Sequence, residues 1–207
     1  MNNNTSNALR VYLFVSRNKD NKGIKDFTER RRTFLAYDSM TNLDERFNEF
    51  VQEGVLGEMS RLYKSVNARD PEKLRKAIIT ELVNDDNIQI GKISTIAAGI
   101  AAKKANAAER KWLIDFDSED DVMLHSITAD IETYLVNTIK RDKKAKESDI
   151  LSIPRMIHAM KSPNGYAIVV DRPFDPRDFV EKWGDIAEIK KDDLLIVDWE
   201  RKREHYN

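Results

Sequence analysis

"KWLIDFDSEDD", residues 111–121, is an apolar run that ends in a cluster of acids. The apolar part predicts a β-strand. Because side chains alternate along a strand, Ile114 and Phe116 share one face and Asp115 and Asp117 share the other. Two neighbouring carboxylates stay ionised together when both are exposed or when a cation lies between them. The segment therefore indicates either a strand end that binds a metal ion or a strand that leaves the core and turns into solvent.

A hairpin is predicted further along the chain, where "SPNG" separates two apolar segments. Its Pro-Asn-Gly sequence is typical of a tight turn. If Lys161 pairs with Tyr166 across this turn, His158 faces Val169. His158 then lies on the same sheet face as Ala167, on the diagonal and roughly 7–8 Å away. This imidazole is either part of a functional site or an ordinary half-buried histidine.

A third apolar segment, "DDLLIVDWE" at residues 192–200, predicts another strand. Asp198 shares a face with Leu194 and Ile196, and a buried carboxylate on an apolar face is costly without a partner. Either a metal ion or an arginine is that partner, or the strand has reached its exposed end and Trp199 is its last core residue.

The remaining segments alternate irregularly between strand and helix patterns. A central strand is predicted at 8–16, and helices within 42–59, 70–85, 91–111 and 122–142. Asp70 is the predicted N-cap of the second helix. Its predicted apolar stripe is formed by Leu74, Ile78, Leu82 and Val83. This order of elements indicates an α+β fold with a mixed or antiparallel central sheet and flanking helices. We expect the strand that ends at Asp115 and Asp117 to lie beside the 165–170 strand in this sheet, with Asp198 on the same face. We expect a single domain over residues 9–200 with a helical insert at about 70–108. A disordered tail at 1–8 and a basic tail at 201–207 would flank it.

The composition restricts the classes of partner. With 35 basic and 36 acidic residues the formal net charge is −1, so nucleic-acid binding would depend on a local basic patch or a bound cation. The absence of cysteine excludes disulfides and thiolate metal sites and fits a cytoplasmic location. No apolar run approaches ~20 residues, so we expect no membrane span.

An extended segment after the first predicted helix supplies candidates for contacts with phosphate groups. They are Arg61, Lys64, Ser65, Asn67 and Arg69, with Lys161 at the hairpin as a further cation. Ordinary surface charge is the alternative for each of these residues. The basic runs at 140–146 and 201–203 are expected to be solvated, with contact to a nucleic-acid backbone as the alternative.

The D-x-D strand, the hairpin of the form S/T-P-N-G-Y and the later strand with a single aspartate resemble, in this order, the catalytic core of the archaeo-eukaryotic primase superfamily. The resemblance covers roughly residues 58–199 and implies an RRM-like sheet. It implies that Asp115, Asp117 and Asp198 bind a catalytic Mg²⁺ or Mn²⁺. The implied ligands are a nucleoside triphosphate, single-stranded nucleic acid or both, with Tyr166 and His158 as further contact residues.

The chain departs from the superfamily pattern at Ala167, where the pattern has a histidine that contacts the nucleotide phosphates. Either the site is degenerate and binds without catalysing, or another group such as His158 substitutes. The hypotheses are therefore a metal-dependent nucleotidyltransferase of primase type and a catalytically reduced relative that binds nucleotide or nucleic acid. The alternative from another class is a phage or mobile-element accessory protein that acts through protein–protein contacts. The short chain and the lack of a zinc-binding part favour the last two.

Overall fold

The computed structural model of the chain describes residues 7–85, 89–143 and 145–204. Within these ranges the protein contains eight β-strands and six α-helices, which confirms the predicted α+β class. The strands form two four-stranded antiparallel sheets, so the prediction of one central sheet is wrong. The chain correspondingly forms two compact units, one within residues 1–109 and 194–207 and the other within residues 110–193. The expectation that residues 9–200 form a single domain, with a helical insert at about 70–108, stays a prediction.

The first unit is built on a sheet whose strand order is β2-β1-β3-β8. Its strands are β1 (Leu9–Ser16), β2 (Arg30–Tyr37), β3 (Met59–Ser65) and β8 (Leu194–Arg201). Its helices are α1 (Leu43–Gln52), α2 (Pro71–Asn84) and α3 (Ile93–Ala102). The alternation of side chains in β1 supplies two cores. Phe14 packs with α1 on one face, and Val11 packs with α2 and α3 on the other.

Strand β2 was not predicted, because its first three residues are arginines and read as a charged loop. The structure accounts for the first of these cations. The guanidinium of Arg30 stacks on the Phe50 ring, 4.3 Å from its centroid, and forms an ion pair with the buried Glu58. A strand can therefore begin with arginine when a carboxylate and an aromatic face are supplied from distant positions.

Helix α2 confirms the predicted N-cap but not the whole predicted apolar stripe. The Asp70 carboxylate accepts hydrogen bonds from the backbone N–H groups of Glu72 and Lys73 at 3.0 and 3.1 Å. Leu74 is buried, whereas Leu82 and Val83 are 39% and 73% exposed. The unit therefore covers only the first part of this helix.

The second unit is built on a sheet whose strand order is β5-β6-β4-β7. Its elements in chain order are β4 (Trp112–Phe116), α4 (Asp121–Arg141), α5 (Glu147–Leu151), β5 (Ile157–Ser162), β6 (Gly165–Val170), α6 (Arg177–Trp183) and β7 (Ala187–Lys191). Without the short α5, this is the β-α-β-β-α-β order of a ferredoxin-like unit. Its first strand, β4, is central and pairs with the hairpin strand β6, as predicted.

Helices α4 and α6 cover one face of this second sheet. Ile114, Phe116 and Ile168 contribute to that core from the strands. The acids after β4 include the N-cap of α4, because the Asp120 carboxylate accepts hydrogen bonds from Val122 N and Met123 N. Part of the acidic cluster therefore has an ordinary helix-capping role. No helix in the described part of the chain is long and apolar enough to cross a membrane.

Candidate functional site

The face of the second sheet that lies opposite the helices carries Asp115. Register pairs Asp115 with Ala167 of β6 on one side and with Glu188 of β7 on the other. By alternation, this surface, here called the Asp115 face, is formed by His158, Met160, Ala167, Val169, Leu113, Asp115, Glu188 and Lys190. It contains no aromatic ring, so it lacks the base-stacking platform by which RRM sheets bind RNA.

Asp115 has a partner that the sequence analysis did not foresee. The Lys190 ammonium donates a hydrogen bond to the Asp115 carboxylate at 2.7 Å, and Glu188 lies 3.7 Å from the same ammonium. Partial burial lowers the pKa of Lys190, but the hydrogen bond and the charge of Asp115 outweigh it and raise that pKa overall. Lys190 was missed because only the pairing of β7 with β4 brings it to this face.

Asp117 follows the end of β4 and is exposed. Its backbone N–H donates to the carbonyl of Ile186 at 2.8 Å, which anchors the strand end without using the carboxylate. Across the described residues, no three acidic, histidine or cysteine side chains are grouped so as to hold a metal ion. The role of Asp115 and Asp117 as metal ligands therefore stays a prediction.

His158 lies where the hairpin register predicted it. Lys161 pairs with Tyr166 and His158 with Val169, which puts the imidazole on the Asp115 face. Its Nε2 is 3.4 Å from an oxygen of Asp171, and the Lys111 ammonium is 3.3 Å from the other Asp171 oxygen. The imidazole is 52% exposed and remains accessible to a ligand.

Tyr166 and Lys161, by contrast, do not join this group. Their register places them on the helix face, opposite Asp115. The Tyr166 hydroxyl donates to the Asp121 carboxylate at 2.5 Å, and this hydrogen bond raises the pKa of the phenol. Tyr166 therefore contacts the first residue of α4 in this structure, and its contact with nucleotide stays a prediction.

Asp198 lies in the sheet of the first unit, so the prediction that its strand shares a sheet with Asp115 is wrong. The reason is pairing, since β8 runs beside β3 and places Asp198 opposite Leu62. The carboxylate is exposed and accepts a hydrogen bond from Trp199 N at 2.8 Å. Its role as a third metal ligand stays a prediction.

The basic segment around β3 is mainly structural in this fold. The Arg61 guanidinium forms an ion pair with Asp20 at 2.6 Å, and both side chains are largely buried. The Ser65 hydroxyl donates to the carbonyl of Asn67. Asn67 and Arg69 are only 1% and 3% exposed. These residues are therefore poorly placed for the predicted contacts with phosphate.

Lys64 is the member of this segment that faces a cavity. The cavity has a volume of about 780 Å³, and its lining includes Lys64, Asp198, Arg10, Tyr12 and Asp38. The structure thus brings together two of the predicted residues, Lys64 and Asp198, within the first unit. Arg10 and Asp38 were missed because each stands alone in the sequence and only strand pairing joins them.

Comparisons of the chain with protein-family models, with curated protein sequences and with solved structures gave no match.

Proposed function

We propose that the chain is a catalytically reduced relative of the primase type, which binds a nucleoside triphosphate together with Mg²⁺ or Mn²⁺ on the Asp115 face. One observation carries the proposal. The D-x-D strand and the hairpin strand are direct antiparallel neighbours, so Asp115 pairs with Ala167, the position at which the superfamily pattern has histidine. The ferredoxin-like strand order supports the same proposal, because the resemblance implies an RRM-like sheet.

The acids at the strand end fit a magnesium ion of the kind that proteins share with a phosphate ligand. Mg²⁺ is commonly bound by one or two carboxylates plus substrate phosphates. Asp115 and Asp117 are oxygen ligands of that type, and such an ion supplies positive charge to the phosphates when bound. Lys190 competes for Asp115 in the structure described, since its ammonium already contacts that carboxylate.

The residues around Asp115 support binding more than catalysis. Ala167 has no polar group to contact a phosphate, and its side chain is 4% exposed. The nearest imidazole on this face, His158, is diagonal to Ala167 and close to Asp171. In this proposal Lys190 contacts phosphate oxygens once a cation has taken its place beside Asp115. We expect polymerase activity to be weak.

Calorimetric titration with ATP and dATP, with and without MgCl₂ or MnCl₂, tests the proposal. Binding should require the divalent cation and should be lost in Asp115→Asn. The matched control is Asp178→Asn, an exposed aspartate of α6 in the same unit, which should bind as the wild type does. Primer-extension assays should then show little or no product. If neither nucleotide binds with either cation, the proposal fails and a protein-binding accessory role leads.

A further inference from the structure

The cavity of the first unit has the size of a small-molecule site. Its volume of about 780 Å³ falls within the range of roughly 300–1,000 Å³ that is usual for such sites. Strands β1, β3 and β8 contribute side chains to it, and the first turn of α1 contributes Leu43 and Asp44. All of its lining residues belong to one unit.

A β-bulge brings Asp198 to this cavity. Leu62 pairs with Asp198 and the next residue, Tyr63, pairs with Ile196, so Val197 is an extra residue in β8. Such a bulge redirects the side chains that follow it. As a result two consecutive residues, Val197 and Asp198, both line the cavity.

Some of the charges in the cavity neutralise one another. Arg10 donates to Asp38 at 2.8 Å and to the carbonyls of Ser65 and Val66. The Tyr12 hydroxyl donates to the other Asp38 oxygen at 2.9 Å. This network leaves Arg10 and Asp38 with little capacity for a ligand.

The remaining charged groups in the lining are one cation and two carboxylates. They are Lys64, Asp44 and Asp198. Lys64 pairs with Leu195 and lies two residues along β3 from Leu62, the partner of Asp198, so Lys64 and Asp198 reach the same cavity from neighbouring strands. Opposite charges in the lining of one cavity suit a ligand that carries both a carboxylate and a cation. The excess of one carboxylate favours a ligand with one net positive charge.

Apolar groups complete the lining. Leu43, Leu62 and Val197 border the cavity together with the Tyr12 ring. Such surfaces pack well against the methylene chain of a long cationic side chain. A nucleoside triphosphate fits poorly, because its several negative charges would meet a lining with an excess of negative charge.

We infer that this cavity binds a small molecule with one carboxylate and an excess of amine or guanidine charge, which is the chemistry of the basic amino acids. Lys64 binds the ligand carboxylate, and Asp198 with Asp44 binds its cationic end. This site is distinct from the Asp115 face, which belongs to the other sheet.

Titration of the full chain with L-arginine and L-lysine, followed by calorimetry, tests the inference. L-norleucine, which lacks the side-chain cation, and L-glutamate should bind at least tenfold more weakly. Argininamide, which lacks the carboxylate, should bind the wild type more weakly than arginine does. Lys64→Gln should bind argininamide and arginine equally, because that variant has already lost the group that contacts the carboxylate. Asp198→Asn should weaken the binding of arginine about tenfold.

Glu200→Gln is the control, because Glu200 is an exposed acid of the same strand that does not line the cavity. It should bind arginine as the wild type does. Circular dichroism of each variant should match that of the wild type, which separates loss of the site from loss of the fold. Absence of arginine and lysine binding, or equal binding of glutamate, would overturn the inference.

Discussion

The ammonium of Lys190 lies 2.7 Å from the carboxylate of Asp115, across the β4–β7 pair of the second sheet. The acid that stands out most in the sequence therefore has a lysine partner that comes 75 residues later in the chain. The Asp115 side chain is still 42% exposed, so solvent screens the pair and a ligand can reach it. In a metal-binding strand end a cation displaces Lys190 from Asp115, whereas in a structural ion pair the lysine stays in place.

Replacement of Lys190 by methionine should strengthen Mn²⁺ binding about fivefold, because an ion pair exposed to this degree is worth up to about 1 kcal/mol. Asp115→Asn should abolish Mn²⁺ binding at the same site. Electron paramagnetic resonance of free Mn²⁺ measures both effects. The matched control is Lys140→Met, because Lys140 is exposed on α4. This variant should leave the affinity for Mn²⁺ unchanged. Equal affinities in the wild type and Lys190→Met would indicate that Asp115 is no metal ligand.

Ala167→His should increase ATP affinity about tenfold when Mg²⁺ is present, because a hydrogen bond to a charged phosphate is worth about 1.5 kcal/mol. The new imidazole would lie directly opposite Asp115. Ala167 is buried, so the larger side chain should also cost about 1–3 kcal/mol of stability. Calorimetry and urea denaturation measure the two effects separately.

The control for that substitution is Ala159→His. Ala159 is exposed on β5, and its register with Ile168 puts it on the opposite face from Asp115. It adds the same imidazole without approaching the site. A gain in ATP affinity in both variants would show that a histidine anywhere on the sheet suffices, which contradicts the proposed site.

Arg61 and Lys64 should differ sharply in their effect on stability although both lie in β3. Arg61→Met leaves the largely buried Asp20 without one of its cations, which should cost about 3 kcal/mol. Arg17 still pairs with Asp20 at 2.9 Å, which keeps the loss near the lower end of the usual range. Lys64→Met should change the free energy of unfolding by less than about 0.5 kcal/mol. Urea denaturation of both variants gives the comparison.

The Arg10–Asp38–Tyr12 network should make stability depend on pH in the acid range. Burial raises the pKa of Asp38, but hydrogen bonds from Arg10 and Tyr12 outweigh it and lower that pKa from its ordinary 3.8. The folded state then binds fewer protons than the unfolded state. The stabilisation is therefore present above about pH 4 and is lost as the pH falls through the lowered pKa.

Asp38→Asn should consequently be less stable than the wild type at pH 6, and the difference in stability should narrow as the pH falls below about 4. Tyr12→Phe, which removes one of the hydrogen bonds to Asp38, should give an intermediate loss at pH 6. Urea midpoints over this pH range measure the differences. A constant gap between the wild type and Asp38→Asn across the range would show that the carboxylate charge is not stabilising.

Binding of single-stranded DNA or RNA should be weak and should depend on few cations. Arg61 is paired and Arg69 is buried, which leaves Lys64 and Lys161 among the predicted contacts. For a single strand, each contact makes the slope of log K against log salt concentration steeper by roughly 0.7. Two contacts should therefore give a slope no steeper than about −1.4. Fluorescence anisotropy at several salt concentrations tests this, and a slope near −3 would contradict the assignment.

Charge reversal at Lys64 and at Lys161 should each reduce that slope by about 0.7. Reversal at Lys202 should leave it unchanged, because its ammonium already donates to the carbonyls of Gln52 and Gly54 at 2.6 and 2.8 Å. Absence of binding at low salt, with or without Mg²⁺, would favour a protein partner instead.

Local patterns determined much of the second unit. The alternation in "WLIDF" gave β4 its two faces, and the Pro-Asn-Gly turn gave the hairpin the register that joins His158 to Val169. These features depend on neighbouring residues, where side-chain period and turn chemistry are decisive. The same reasoning found the Asp70 N-cap, because a cap is a contact within one helical turn.

Long-range pairing decided the sites. The sequence by itself determined that Asp115 lies at the end of a strand with Asp117 close behind it, that Ala167 stands in a hairpin and that Asp198 follows an apolar run. Only the tertiary structure put Lys190 beside Asp115 and paired β8 with β3, which moved Asp198 into another sheet. The physical reason is that strand order depends on which apolar faces the helices cover, and those contacts join residues far apart in the chain.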